Sequence, residues 1–316
     1  MSGNGQPGTR THAGAASRRD LLLGGMAALS VAFAAAQGKA QAAAPRVVVF
    51  DWGLAETLLA LGVAPVALSE AGGYREWVVE PALPPRVADA GLRIEPNFEL
   101  IAAMRPDLIL LTTELEPLRP FMERIARTET LAIYQPDGNA WDHARNAATA
   151  IAKLLGREPL GDSLLLRVDA TITAAKARLA DTGRRPIYLV NFIDRRHVRI
   201  YGRNSIFQAV LDRLGLVNAY TGWTSFWGFV TLGIEHLAAN PEAQLIYLEP
   251  LSDEIRDALK AGPLWSALPF VKAGRVTPLP PVWSFGGVAS GERLARLLGE
   301  KLGHGARSAE SGKAPS

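Results

Sequence analysis

One pattern, used twice, constrains this chain more than anything else in it. Glu99-Leu100-Ile101-Ala102-Ala103 leads through Pro106-Asp107 into the apolar run Leu108–Leu111. Glu235-His236-Leu237-Ala238-Ala239 leads through Pro241 into Leu245-Ile246-Tyr247-Leu248. Each copy reads as a short helix, a proline that stops it, and a strand buried on both faces. Each half also carries a helix closed by a Leu-Gly turn, at 58–63 and 210–216. Repetition of this kind predicts an α/β fold of two similar lobes, and two lobes enclose a cleft.

The remaining segments fit that architecture. Residues 46–50 read as a buried strand, 54–61 as a helix ended by Gly62, and 65–68 as a second strand. Residues 69–97, rich in Gly, Pro and charge, read as a long loop, and loops of that length tend to be functional. Helix at 99–104, strand at 108–112, helix at 121–127 and strand at 131–134 complete a first lobe over 43–140. The 142–155 segment has apolar residues at helical spacing (Ala147, Ala150, Ile151, Leu154) and predicts a helix stopped at Gly156. A further helix is expected at 164–179. The long rigid helix of 141–156 is taken as the link, with the second lobe over 157–304. No Gly/Ser-rich linker intervenes, so the lobes should be joined stiffly. In the second lobe, strands are expected at 186–192, 198–201 and 245–248. Helices are expected there at 206–214, 233–239, 254–259 and 293–302.

The ends of the chain carry a different message. Ser17-Arg18-Arg19-Asp20-Leu21-Leu22 is a twin-arginine pattern, followed by an apolar stretch at 23–36 and by Ala40-Gln41-Ala42. The apolar stretch is shorter than the roughly 20 residues that span a bilayer. A signal peptide over 1–42, cleaved after Ala42, is therefore expected, with export of a folded protein to the periplasm. Residues 305–316 are small and polar and read as a flexible tail. The whole chain carries a formal net charge of +3, all of it in the leader, so the mature protein is formally neutral. No basic field remains to attract nucleic acid. The chain contains no cysteine, which excludes disulfides, a thiolate nucleophile, Cys-ligated metal and a lipid anchor on cysteine.

Catalytic motifs are missing. Beyond residue 42 there is no G-x-S-x-G elbow, P-loop, H-E-x-x-H or G-x-G-x-x-G. His143, His197, His236 and His304 are never at metal-ligand spacing. What stands out is tryptophan among Gly and Pro. Trp77 follows Tyr74, Trp223 and Trp227 lie in G-W-T-S-F-W-G, and Trp283 lies in P-P-V-W-S-F-G-G. Tyr74 with Trp77, and Trp223 with Phe226 and Trp227, are candidate walls of the cleft from opposite sides. Trp52 and Trp265 are candidates for the core. Arg93, in G-L-R-I-E-P-N, either pairs with Glu95 at the surface or offers a planar fork of donors to ligand oxygens.

At these residues the chain resembles the periplasmic ferric-hydroxamate siderophore-binding proteins of ferrichrome type. The resemblance rests on W-x-x-x-E-x-L-L-A-L-G-V-x-P from Trp52, Y-R-x-W-V-x-E-P from Tyr74 and G-L-R-x-E-P-N from Gly91. It continues in G-x-N-S-x-F-Q from Gly202, F-W-G from Phe226, P-L-W-x-A-x-P-F-V-x-A-G-R from Pro263 and P-x-V-W ending at Trp283. It implies two lobes joined by a long helix, an aromatic cleft for an iron chelate, and delivery to an ABC permease driven by its ATPase. Trp77, Arg93, Trp227 and Trp283 match ligand-contacting positions. Three positions depart from the pattern. Leu115 stands where the family has a pocket tyrosine, Leu111 where it has a tryptophan, and Phe229 where a serine follows F-W-G.

A ferric trihydroxamate is neutral and presents acceptor oxygens, which suits one arginine among aromatic rings. A ferric tricatecholate carries three negative charges and would need further cations, for which Arg195, Arg196 and Arg199 are candidates if they face the cleft; Arg195-Arg196-His197 reads instead as a solvated strand edge. Iron arrives inside its siderophore, so no protein cofactor or metal ligand is expected. The protein is expected to be a monomer and not an enzyme. Cobalamin or haem binding on the same fold is the alternative, and an exported siderophore-processing enzyme the remoter one. Glu99 and Glu235 open equivalent short helices, where carboxylates favour the helix N-terminus. In the wider family such paired acids meet arginines of the permease, which makes these two the candidate docking residues.

Overall fold

The computed structural model describes residues 1, 3, 5, 8, 45–180 and 185–311, with side chains to 303. The twin-arginine segment and the cleavage site after Ala42 lie outside the described residues, as do the last five residues of the tail. The compact unit from Pro45 onward contains two five-stranded sheets.

The first sheet is wholly parallel, in the order β3-β2-β1-β4-β5. Its strands are β1 (Val47–Val49), β2 (Ala67–Leu68), β3 (Ala88–Asp89), β4 (Leu108–Leu111) and β5 (Arg127–Thr130). Every residue of β1 and β4 is buried, as expected of central strands covered on both faces. The second sheet runs β10-β9-β6-β7-β8. Here β6 (Ile187–Phe192), β9 (Gln244–Leu248) and β10 (Val276–Leu279) are parallel. The strands β7 (His197–Tyr201) and β8 (Phe229–Gly233) are antiparallel additions.

The repeated segment therefore has the same topological place in both lobes. β4 lies parallel beside β1, and β9 lies parallel beside β6. The likeness stops on the other side of each first strand, where one lobe continues in parallel and the other turns back on itself. The helices preceding β4 and β9 also differ. The first is α-helical, Phe98–Ala103, capped by the Asn97 side chain accepting from Leu100 N at 2.9 Å. The second, Ile234–Ala239, is a 3-10 turn without a side-chain cap.

Four expectations from sequence need correction. Residues 69–97 are not a bare loop: they hold β3 and a helix, Ala71–Trp77. Gly72 and Gly73 disguise that helix, yet Gly73 is there for close packing, since a Cβ would lie 2.5 Å from the Trp52 ring. β5 occupies 127–130 rather than 131–134, because Arg127 and Glu129 pair along an exposed edge while Thr128 points inward. The edge strands β8 and β10 add to the expected set, and β10 tolerates Pro278 as an edge can. The final helix, Val288–Ser311, runs through 305–311, where a loose tail was expected.

Helices tie the sheets together. We number those used below α1 (Trp52–Ala60), α2 (Ala71–Trp77), α3 (Phe98–Ala103), α4 (Arg119–Met122), α5 (Ala140–Leu154), α6 (Glu158–Arg178), α7 (Ile206–Leu214), α8 (Asp253–Ala261), α9 (Pro263–Ala267), α10 (Pro269–Lys272) and α11 (Val288–Ser311). α5 packs against α1 on one side and α7 on the other. α11 lies along α6, where Gly299 and Gly303 bring the backbones close: a Cβ on Gly299 would sit 3.0 Å from Ala175 Cα. The start of α11 is fastened to the first lobe. The buried Glu56 of α1 accepts hydrogen bonds from Gly287 N, from Ser290 N at 3.1 Å and from Ser290 Oγ at 2.6 Å. Arg293 and Arg296 on the same helix both reach the Glu80 carboxylate.

Candidate functional site

The site grows from Trp52. Asp51 caps α1 by accepting from Leu54 N at 2.9 Å, which sets Trp52 as the first helical residue. The indole Nε1 donates to Ser69 O at 3.0 Å and fixes the ring. Above that ring lies the Arg93 guanidinium, with Cζ 4.6 Å from its centroid. Arg93 is delivered by a turn at Gly91, whose φ of 86° only glycine adopts cheaply. Gly91 N donates to Asp89 Oδ1 and Gly91 O accepts from Glu70 N, so the turn is pinned on both sides. Arg93 Nε lies 3.0 Å from Glu70 Oε2, and the Glu95 pairing open from sequence is not made.

From the second lobe, Trp283 lies against Trp52 with centroids 4.7 Å apart, and Phe285 lies 5.4 Å from Trp283. Trp227 packs on Tyr134 at 5.7 Å and on Phe285 at 5.8 Å. It is held there by Gly228, at φ 79°, where a Cβ would lie 2.4 Å from Ser205 N. Phe229 opens β8 and also meets Phe285, at 5.7 Å.

These residues surround two adjoining hollows. One, of about 640 Å³, lies between Trp52, Trp77 and Arg93 of the first lobe and Phe192, Arg199 and Trp283 of the second. The other, of about 370 Å³, is lined by Asp51, Glu114, Leu115, Trp227, Phe229 and Phe285. Arg93, Ile94 and Trp283 border both, so the two form one interlobe cleft. Four carboxylates, from Asp51, Glu70, Glu114 and Glu249, and two guanidinium groups, from Arg93 and Arg199, line it. Burial raises the Asp51 carboxyl above its ordinary range, against its bond from Leu54 N and the pull of Arg93.

The structure brings together Trp77, Arg93, Leu115, Trp227, Phe229 and Trp283. It does not place the other three candidates in the cleft. Tyr74 is fully buried behind Trp52, its hydroxyl donating to Pro81 O at 2.9 Å. Trp223 is 73% exposed and lines neither hollow; its carbonyl accepts from Tyr220 Oη at 2.9 Å. Leu111 is buried within β4 among Val48, Phe50 and Ile109. Trp265 packs in the second lobe's own core with Phe192 and Phe270, whereas Trp52 serves core and cleft together.

Of the three arginines that were candidate cleft cations, only Arg199 lines the hollow, and Phe285 is a cleft residue not singled out from sequence. Phe285 had a signal, two residues beyond Trp283 in the same Gly/Pro-flanked segment. Arg199 had one too, a charge between Val198 and Ile200 in an otherwise apolar strand. Arg195 and Arg196 line a separate surface hollow with Glu235, and Arg195 lies 3.5 Å from Glu254. Glu99 and Glu235 are both exposed at the first turns of their segments. Among the described residues no cluster of three His, Asp or Glu side chains could hold a metal ion, and no helix is long and apolar enough to cross a membrane.

Two α/β lobes around an aromatic cleft define a solute-binding architecture. Residues 47–282 match the family model described as periplasmic binding protein, and the chain belongs to that family. It is 36% identical to the iron(3+)-hydroxamate-binding protein FhuD of Escherichia coli over 258 residues, covering 82% of this chain and 87% of that protein. It is 26% identical to the Fe(3+)-citrate-binding protein YfmC of Bacillus subtilis, covering 81% and 80%. Among solved structures it superposes on the Fe3+-Desferal-bound siderophore-binding protein FhuD of Vibrio cholerae with a TM-score of 0.78 at 35% identity. That match covers 83% of this chain and 98% of the other.

Proposed function

We propose that this protein captures a ferric hydroxamate siderophore outside the cytoplasm and delivers it to an ABC permease for iron uptake. The observation that carries the reading is the composition of the cleft. Aromatic rings form most of its walls, and Arg93 is held over Trp52 with its Nε beside Glu70. Four carboxylates against two guanidinium groups disfavour a ligand with several negative charges. A neutral trihydroxamate fits: its alkyl chains lie on rings, and its oxygens accept from guanidinium hydrogens. The names of the Escherichia coli and Vibrio cholerae relatives, a hydroxamate-binding protein and a Desferal complex, support the same class.

In this reading the protein is a receptor and not an enzyme, it works as a monomer in the periplasm after loss of residues 1–42, and Glu99 and Glu235 meet the permease. Tryptophan emission should test it directly, since Trp52, Trp77, Trp227 and Trp283 line the cleft. Ferric trihydroxamates should quench it at low concentration and ferric tricatecholates only at much higher concentration. Equal or tighter binding of the tricatecholate would overturn the assignment.

A further inference from the structure

Arg199 is a cleft cation that stands beside the Tyr201 hydroxyl and has no carboxylate partner among the described residues. It sits in β7, where Val198 and Ile200 point into the core of the second lobe and Arg199 points the other way. Its guanidinium carbon lies 4.2 Å over the Phe229 ring and 5.3 Å over the Phe285 ring. Among the described residues no carboxylate comes within the 4.0 Å of an ion pair. Its Nε is buried and has no hydrogen-bond acceptor. A buried, unsatisfied donor is costly to keep. Arg93 differs in having a carboxylate, Glu70 Oε2, 3.0 Å from its Nε, although that Nε likewise makes no hydrogen bond. The two arginines face the same 640 Å³ hollow from opposite lobes.

Phe229 gives the arrangement its logic. Phe229 supplies a flat face, and Arg199 lies on it. A guanidinium stacked this way keeps its donors in plane and loses little freedom when it binds.

Resting on the function proposed above, we infer that Arg199 is a ligand-binding residue that sets specificity, donating from the second lobe to the oxygens of the iron chelate, with Phe229 as the shelf that aims it. The chelate is then gripped by one guanidinium from each lobe. Ligands whose acceptor oxygens are confined to one side of the iron are discriminated against.

The test uses the mature chain titrated with a neutral ferric trihydroxamate, read by tryptophan quenching, with melting temperatures taken alongside. Arg199→Leu should raise Kd at least tenfold with the melting temperature little changed. If that variant does not fold, Arg199→Gln, which keeps length and polarity, is read against the same threshold. Phe229→Ser adds a hydroxyl but removes the shelf, and should weaken binding. Wild-type affinity in the folded Arg199 variant, or tighter binding by Phe229→Ser, would overturn the inference and leave the proposed function standing. A wild-type protein that binds no ferric trihydroxamate would overturn both.

Discussion

Glu56 should make the stability of this protein fall as pH rises through neutrality. The side chain is fully buried, and burial pushes its carboxyl from the ordinary 4.5 up to about 7, despite hydrogen bonds from Ser290 and Gly287 that favour the charged form. The folded chain therefore holds the Glu56 proton to higher pH than the unfolded chain does. A group raised in this way contributes its full stabilisation below about 4.5, loses it progressively as pH climbs to about 7, and changes little above that. The gap between 4.5 and about 7, at about 1.36 kcal/mol per pH unit, amounts to on the order of 3 kcal/mol. The perturbation is Glu56→Gln, which keeps the shape and an oxygen for the amides of Gly287 and Ser290 but cannot ionise. Urea unfolding of both proteins from about pH 5 to about pH 8 isolates the effect, since every other titrating group cancels in the difference. The wild type should lose stability relative to the variant as pH rises, mostly below about pH 7. Parallel profiles would refute the reasoning and show that the three hydrogen bonds hold Glu56 ionised throughout.

Two further outcomes are expected. Arg93→Ala should weaken ferric trihydroxamate binding by about tenfold to a hundredfold, the range for hydrogen bonds from a charged donor, and leave Glu70 as an unpaired carboxylate in the cleft. Adding Glu70→Gln to that variant should restore part of the loss in the same quenching titration; unchanged affinity in Arg93→Ala would return Arg93 to a merely structural pair. The double reversal Glu99→Lys with Glu235→Lys should abolish stimulation of the transporter's ATPase while leaving solution affinity intact, because both acids are exposed and line neither cleft hollow; normal transport by the double mutant would leave them as terminal residues of their helical segments.

The central strands were legible because parallel strands buried on both faces read as unbroken apolar runs, as 108–111 and 245–248 do. Edge strands were harder. β5 alternates charge and threonine, and β10 contains proline, so neither announces itself by hydrophobicity. The helix Ala71–Trp77 was hidden by a glycine pair whose purpose, closeness to Trp52, exists only in the folded molecule. At the site, aromatic residues flanked by Gly and Pro were a sound guide to Trp77, Trp227 and Trp283. They were a poor one for Tyr74 and Trp223, whose sequence surroundings look the same but whose backbones turn the rings inward or out to solvent. Arg93 could be picked out from its neighbours, but its partner could not, since Glu70 meets it through the Gly91 turn. Arg199 could be named as a candidate cation, but its seat on Phe229 and its unsatisfied Nε depend on everything packed around it.

The anchorage of α11 has a consequence for signalling. Its first turn is locked to α1 through Glu56, its next turns to Glu80 through Arg293 and Arg296, and its length to α6 through close glycine contacts. A frame braced at so many points resists a wide swing of one lobe against the other, and the walls of the cleft stand ready before cargo arrives. Empty and loaded receptors then share nearly the same outline. A transporter that must avoid wasting ATP on empty carriers has little to read in gross shape. What such a transporter can read is the cleft itself, filled or empty between Arg93, Ile94 and Trp283.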